Sequence, residues 1–239
     1  MLIDLHVHTL RTPGGALRPL DVLARARALG LDGVAFTDLD SLEALPEVRE
    51  AARVTGVLAL VGVELATDHG RYLCFFDAPG LMAPLAELFG GLPRPARAAL
   101  ARVASLGGAA VAAHPYDKAL TGVSGDAVFT LDGLTAVEGL HGRSPGRAND
   151  LAVEAADHLG LPCVGGSGAL ASLDELGTAA TLFREPVAGE AELVARLRAG
   201  ACWAAAISAP SEAASGPGTR LDASRPARPT PRSRPAGRS

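Results

Sequence analysis

The sequence predicts an α/β protein in which a parallel sheet closes into a barrel and is covered by helices. Short apolar strands alternate with amphipathic helices along most of the 239 residues. Several helical segments are followed by a glycine, the residue that most readily adopts the left-handed conformation of a helix C-cap. Six or seven β-then-α units in series build a parallel sheet. This number of units favours a closed barrel over an open doubly wound sheet.

The individual elements follow from local patterns along the chain. Residues 2–6 alternate apolar and polar side chains and begin the chain as a strand. Pro19 opens the first helix and Gly30 follows its end, so this helix spans 19–29. Further strands are predicted at 33–38, 57–65, 71–76, 109–113, 135–138, 162–165 and 178–183. Further helices are predicted at 41–54, where Ser41 is the expected N-cap, and at 96–106, 147–159 and 190–197.

Composition excludes several classes of protein. The hydrophobic fraction of 48% and the mean hydropathy of +0.23 exclude a mainly disordered chain. The chain has no run of 18 apolar residues, so no transmembrane helix is expected. The segment MLIDLHVHT lacks the basic start and apolar core of a signal peptide. The cysteines Cys74, Cys163 and Cys202 form no CxxC pair and are typical of reduced, buried thiols. We therefore expect a cytoplasmic protein without membrane contact.

The charge divides the chain into two predicted regions. Residues 209–239 carry six arginines against one glutamate and one aspartate, a net charge of +4 that leaves −8 on residues 1–208. This tail is rich in proline, glycine and serine and has no aromatic residue, so we expect it to be disordered beside a folded domain at 1–208. A solvated extension is favoured over a nucleic-acid-binding arm. The arginines are scattered without a stacking platform, and the acidic domain would repel a phosphate backbone.

Histidines mark the ends of the predicted strands. Of six in the chain, only His158 lies inside a predicted helix. The carboxyl ends of barrel strands form the rim at which ligands bind, so His6, His8, Glu64 and His114 are expected to converge there. Each histidine alone could be structural. Three imidazoles and one carboxylate together, however, are a suitable ligand set for zinc, manganese or iron.

Several sequence motifs resemble those of the PHP (polymerase and histidinol phosphatase) family. The first four are IDLHVHT at 3–9, GLDGVAFTD at 30–38, VGVELAT at 61–67 and AAHP at 112–115. The later stretches VEGLHGR at 137–143, LGLPCVGGSG at 159–168 and ELGTAATLF at 175–183 resemble short, stand-alone members with a PHP-associated C-terminal segment. The resemblance covers about residues 2–205. It implies a distorted (β/α)7 TIM-like barrel whose rim holds two or three metal ions for phosphoester hydrolysis.

Five positions depart from the family pattern. The resemblance places an aspartate at Gly14, histidines at Leu39, Arg71 and Leu170, and the aspartate of a GSDAH motif at Gly168. Glycine and leucine side chains offer no lone pair to a metal. Gly168→Asp is therefore expected to raise metal affinity by supplying a missing anionic ligand.

The departures predict a reduced metal site. In the arrangement that the resemblance implies, one ion keeps three of its four ligands, namely His6, His8 and Glu64. A second ion keeps Glu64 and His114 but lacks the partner that Arg71 replaces. The third ion keeps no ligand. We therefore predict at most one divalent ion, zinc or manganese, since three protein ligands and a water suffice for a catalytic zinc site.

Other side chains are candidates for supporting roles. His141 stands where such members carry an asparagine, and His69 lies near Arg71; either could replace a lost ligand or be a surface histidine. Arg71 and Arg143 could bind phosphate bidentately or be solvated. The carboxylates expected to orient histidines are Asp4, Asp38, Asp40 and Asp117.

Two functions are open at this point. The first is a metal-dependent phosphoesterase that hydrolyses a phosphate ester with a metal-bound hydroxide, with His114 or His141 transferring the proton. The second is a catalytically inactive PHP-like protein that binds a phosphorylated ligand or a protein. The expected partner in the first case is a small phosphorylated molecule.

Overall fold

The computed structural model of the chain describes residues 1–82, 85–121 and 125–207. In this part of the chain, nine strands form one curved sheet with helices packed on it. The strands are β1 (Leu2–Val7), β2 (Gly33–Phe36), β3 (Leu58–Thr67), β4 (Gly70–Phe75), β5 (Ala109–Ala113), β6 (Ala136–His141), β7 (Cys163–Gly166), β8 (Ala179–Phe183) and β9 (Cys202–Ala206). The helices are α1 (Pro19–Leu29), α2 (Leu45–Thr55), α3 (Leu85–Phe89), α4 (Ala96–Ser105), α5 (Lys118–Thr121), α6 (Gly146–Leu159) and α7 (Glu190–Ala199). Short 3₁₀ helices lie at Pro79–Met82 and Gly125–Thr130.

The strand order is β7-β6-β5-β4-β3-β2-β1-β8-β9. This nearly closed sheet confirms the predicted α/β barrel. The expectation of a wholly parallel sheet is wrong, because β4, β8 and β9 pair antiparallel with their neighbours. β3 and β4 are joined by Asp68 and His69 alone, and a two-residue connection can join only antiparallel strands.

Glycine and proline set the boundaries of the first two helices. α1 starts with Pro19, whose missing N–H is not needed there, and ends at Gly30, whose φ of +77° is a left-handed C-cap. The predicted N-cap at Ser41 is wrong, because α2 begins four residues later with Pro46 in its first turn. The Ser41 hydroxyl instead accepts the backbone N–H of Glu43 before the helix starts.

Three short elements were not predicted from the sequence. The short helices α3 and α5 and the strand β9 are absent from the prediction. β9 reads CWAAA, and alanine has little preference for strands, so its strand conformation depends on pairing with β8.

The first strand bends where its histidines lie. The ladder between β1 and β2 shifts register between Asp4 and Val7, and β1 ends at Val7. Side chains two residues apart share a face of a strand, and they can turn to one point when the strand bends or ends. The His6 and His8 rings accordingly lie 5.0 Å apart, centroid to centroid.

The barrel is closed between β1 and the segment that follows β7. His8 N donates to Ala169 O at 2.9 Å, and Gly168 N donates to His6 O at 2.8 Å. The buried Asp4 carboxylate accepts the backbone N–H of Ser167 at 2.8 Å. Burial raises the pKa of Asp4 to about 6 despite these hydrogen bonds. The sequence predicts that Asp4 orients a histidine, and here it joins the two edges of the barrel beneath the histidines.

The basic tail at 209–239, predicted to be disordered, lies outside the described residues, so the domain boundary stays a prediction. Among the residues described, no helix is long and apolar enough to cross a membrane.

Candidate metal centre

Three predicted ligands meet at one rim of the barrel. His6 lies on β1, His8 follows this strand, and Glu64 lies on β3; all three side chains are buried. His6 Nε2 and His8 Nε2 lie 3.1 Å apart. Glu64 Oε1 lies 3.8 Å from His6 Nε2, and Glu64 Oε2 lies 3.8 Å from His8 Nε2. The structure thus brings together ligands that are 58 residues apart in the sequence.

Glu138 fixes the orientation of His6. Its Oε1 accepts a hydrogen bond from His6 Nδ1 at 2.9 Å, and its Oε2 accepts the backbone N–H of His114 at 2.9 Å. Burial raises the pKa of Glu138; in its ionised form this carboxylate accepts the hydrogen bond of His6 Nδ1, which leaves the lone pair of Nε2 facing His8 and Glu64. Glu138 has no predicted role in the sequence analysis. It could have been identified as a candidate because it is an acidic residue within the short apolar strand β6, and buried carboxylates are rare unless they are paired.

A matching chain of hydrogen bonds orients His8. Thr12 Oγ1 donates to Asp38 Oδ1 at 2.6 Å and therefore accepts from His8 Nδ1 at 3.1 Å. Asp38 also accepts the backbone N–H of Thr9 at 2.6 Å. His8 Nε2 is consequently unprotonated as well. Asp38 lies behind a histidine, as expected, but acts through one hydroxyl group.

The three groups fit a divalent cation. Two lone pairs 3.1 Å apart repel unless a proton or a cation lies between them. A tetrahedral ion with bonds of about 2.1 Å places its ligand atoms about 3.4 Å apart, close to the separations found here. Burial lowers the pKa of His6 to about 3 and that of His8 to about 4. Both imidazoles are therefore in the neutral form that binds a metal.

Glu64 supplies the negative charge. Burial alone would raise the pKa of its carboxyl group. The hydrogen bond from His114 outweighs this, together with the imidazoles of His6 and His8, which are charged at the acidic pH at which this carboxyl group titrates, and the pKa lies well below its usual range. The carboxylate is therefore ionised at neutral pH, as a metal ligand must be.

His114 lies on the other side of Glu64. Its Nε2 is 3.1 Å from Glu64 Oε1, and its buried Nδ1 has no hydrogen-bond partner among the described residues. Its φ of +30° is rare for a residue with a side chain. Strained backbone and an unpaired buried nitrogen each cost free energy, and such costs are concentrated at functional sites.

Arg71 places a guanidinium beside the Glu64 carboxylate. Its Nη1 lies 3.3 Å from Oε2 and 3.5 Å from Oε1 of that carboxylate. In the β3–β4 ladder Glu64 pairs with Leu73, so Arg71 is its diagonal neighbour on the same face. The guanidinium therefore neutralises the Glu64 carboxylate mainly at Oε2, the oxygen that also faces His8.

His141 closes the histidine cluster. Its ring centroid lies 5.1 Å from that of His6 and 4.7 Å from that of His114. Its Nδ1 hydrogen-bonds to Ser144 Oγ at 2.9 Å, and this hydroxyl donates to Asp117 Oδ2 at 2.8 Å. Burial lowers the pKa of His141 well below its ordinary value, so this ring too is neutral.

A cavity of about 230 Å³ opens onto these groups. Arg71 and Arg143 line it, and the Nη1 of Arg143 donates to Gly168 O at 3.3 Å. Leu39 and Leu170 also line it, at positions where the resemblance implies ligands of a third ion. The other lining residues are His6, His8, Thr12, Pro13, His114, Leu120, His141 and Gly168.

Comparison with known proteins identifies the family. Residues 4–126, just over half of the chain, match the family described as the PHP domain, and residues 146–202 match the one described as PHP-associated. The chain belongs to the PHP family. The relationship predicted from the sequence motifs is thereby confirmed, and the cavity lies at the rim of a PHP barrel.

Two curated proteins are similar to parts of this chain. The uncharacterized protein MJ1587 of Methanocaldococcus jannaschii is 28% identical over 151 residues, which are 58% of this chain and 80% of that protein. The 3',5'-nucleoside bisphosphate phosphatase of Chromobacterium violaceum is 35% identical over 111 residues, 46% of this chain. The match spans only 39% of that enzyme.

Solved structures share the PHP fold. A protein from Bifidobacterium adolescentis described as a metal-dependent phosphoesterase has a TM-score of 0.56 at 21% identity, covering 70% of this chain and 87% of that one. An amidohydrolase from Chromobacterium violaceum, solved with sulfate and without metal, has a TM-score of 0.60 at 20% identity, covering 73% and 89%.

His69 and Asp40, two candidates from the sequence, have partners outside the histidine cluster, and His158, which was not a candidate, lies on the surface. His69 is exposed and contacts Asp68 in the β3–β4 turn, so it does not line the cavity. Asp40 pairs with Arg94 at 2.7 Å. His158 is exposed on α6 and donates to a backbone carbonyl of its own helix.

Chelator-treated protein is expected to lose about 2–3 kcal/mol of unfolding free energy between pH 7 and pH 5. The folded pKa values of His6 and His8 lie below the unfolded value of 6.5, so their stabilisation is present above pH 6.5 and is lost as the pH falls toward 4 and 3. Asp4 opposes this between pH 6 and 4, because its raised pKa favours the folded state on protonation. Urea unfolding in EDTA measures the profile, and a free energy that is flat or rises toward pH 5 would contradict the assignment.

Proposed function

We propose that this protein hydrolyses a phosphate ester of a small molecule, using one divalent ion held by His6, His8 and Glu64. The observation that carries the proposal is the meeting of two unprotonated imidazole nitrogens and an ionised carboxylate beside a cavity lined by two arginines. A zinc or manganese ion there supplies positive charge for the phosphoryl oxygens and lowers the pKa of a bound water.

Arg71 and Arg143 bind the phosphoryl group. Both guanidinium groups line the cavity, and their side chains are about one third exposed, so they reach solvent and substrate. A planar guanidinium matches two phosphate oxygens at once. The volume of about 230 Å³ accommodates a phosphoryl group and a small part of the ester, which favours small substrates.

His114 transfers the proton. His114 lines the cavity, and its Nε2 donates to Glu64 Oε1 at 3.1 Å. Nδ1, which has no hydrogen-bond partner among the described residues, is then the ring nitrogen that can take a proton from the attacking water and return it to the leaving oxygen. Glu138 holds the backbone N–H of His114 and keeps the ring in place during this exchange.

The test is metal-dependent hydrolysis of a generic aryl phosphate. Chelated protein is expected to be inactive, to regain activity with zinc or manganese, and to bind one ion per chain by elemental analysis. His8→Ala should lose both properties. His69→Ala, which removes an exposed histidine outside the cavity, is the matched control and should keep them.

A second candidate is a binding protein without catalysis. Leu39 and Leu170 favour it, because these cavity walls offer no lone pair for further ions. Phosphate binding that needs Arg71 and Arg143, without hydrolysis in the presence of any divalent ion tested, would support this function and exclude the phosphoesterase.

A further inference from the structure

The ring of His141 fills space that residue 168 leaves free. A Cβ atom built on Gly168 would lie 1.9 Å from His141 Nε2 and 2.6 Å from its Cε1, far inside van der Waals contact. Gly168 also has a φ of +65°, which strains any residue with a side chain. Residues 141 and 168 therefore depend on each other. While the His141 ring occupies this space, residue 168 can only be glycine.

The ring is held from behind with its Nε2 unprotonated. Ser144 has one hydroxyl proton and gives it to Asp117, so its oxygen accepts the proton on His141 Nδ1. The Asn149 side chain fixes the backbone of His141 by accepting from its N–H and donating to its carbonyl, both at 3.2 Å. The Nε2 lone pair makes no hydrogen bond within the described residues, and it belongs to a side chain that lines the cavity.

The neighbours of the ring are metal-ligating groups. His6, His114, Glu138 and His141 each offer one ligand atom, and these four atoms all lie within 4.8 Å of one another. His6 is shared between this group and the trio that it forms with His8 and Glu64. His141 therefore stands beside the ion site, on the side where the PHP pattern has the aspartate of GSDAH.

His141 belongs to the group that contains His114 and Glu138, and it reaches the trio only through their common member His6. We propose that His141 Nε2 turns toward an ion held by His6, His8 and Glu64 and becomes its further ligand, in place of the acidic side chain absent at residue 168. The inference rests on the proposed function and adds to it. The ligand set becomes three imidazoles and one carboxylate instead of two of each. Replacing a carboxylate by an imidazole favours zinc over the harder ions magnesium and manganese.

The structure also changes the expectation for Gly168→Asp. The sequence predicts that this substitution alone raises metal affinity. Because the Cβ atom of an aspartate at residue 168 would overlap His141 Nε2, the new side chain must first displace the ring. A gain in affinity is therefore expected only when His141 is replaced as well.

The experiment measures zinc affinity by competition with a chromophoric chelator in His141→Ala, Gly168→Asp and the double variant. His141→Ala is expected to weaken zinc binding at least about 10-fold. Gly168→Asp is expected to weaken it too, whereas the double variant should return to within about 3-fold of the wild type, a non-additivity typical of residues that share one space. His69→Ala is the control and should bind as the wild type does.

Each outcome distinguishes the inference from the proposed function. Wild-type zinc affinity in His141→Ala together with lost hydrolysis would make His141 a proton carrier, overturning the inference and leaving the phosphoesterase intact. A wild-type chain that binds no zinc would overturn both. If His141→Ala does not fold, His141→Asn replaces it. The visible absorption of the cobalt(II) protein then supplies the second readout, and a wild-type spectrum in that variant would refute ligation.

Discussion

Glu64→Gln is expected to abolish tight metal binding and to lower phosphoesterase activity by about 10³-fold or more. The carboxylate is fully buried and contacts four groups of the site, the imidazoles of His6, His8 and His114 and the guanidinium of Arg71. An amide has nearly the same shape but no charge. It therefore removes the only anionic ligand of the trio while leaving the packing unchanged.

Metal content per chain and kcat with added zinc test this expectation. Glu47→Gln is the matched control, because that glutamate is half exposed, pairs with Arg11 and lies outside the cavity. If Glu64→Gln still holds one tightly bound ion, the ion is bound by the neighbouring group that includes Glu138. The assignment of Glu64 as its ligand would then be wrong.

Arg71→His is expected to raise the number of bound ions per chain from one to two. At present the guanidinium lies 3.3 Å from Glu64 Oε2 and repels a further cation there, by about 4 kcal/mol for each unit charge of that cation at 4 Å near a protein surface. Histidine at this position removes the fixed charge. Together with Glu64 and His114 it supplies three donors, enough for a second metal ion.

Elemental analysis after incubation with excess zinc or manganese and removal of free ion measures the count. Arg143→His is the matched control. Arg143 lines the same cavity, but it contacts Gly168 and Glu175, whereas Arg71 contacts Glu64. It should keep the wild-type count. One ion in Arg71→His would show that the second position is closed by something other than the guanidinium.

Local patterns were sufficient to predict much of the fold. The helix that starts at Pro19 and ends at Gly30 is fixed by conformational preferences of those two residues, and the structure has it at the predicted bounds. The direction of β4 could not be predicted in the same way, because it depends on recognising a two-residue turn between two apolar runs. β9 was missed because its alanines take their conformation from β8.

The candidate site was predictable where it depends on strand ends and unpredictable where it depends on side-chain neighbours. His6 and Glu64 lie in the C-terminal half of β1 and β3, and His8 and His114 come directly after β1 and β5. Parallel strands deliver their ends to one rim. Glu138 behind His6 and the fit of His141 against Gly168 are contacts between residues far apart in sequence. A single sequence carries no record of such pairs.

The closure of the barrel also determines when the site can form during synthesis. His6 lies on β1 and His8 directly follows it, and β1 pairs with β8 and contacts the segment after β7. Asp4 and Ser167, which hydrogen-bond across this junction, are 163 residues apart. Contacts between residues so far apart in sequence form late in folding, because closing a large loop costs chain entropy that earlier contacts must offset. A nascent chain emerging from the ribosome therefore presents its N-terminal histidines long before their partners exist. Premature capture of a metal ion by that exposed pair would compete with folding until the last third of the chain arrives.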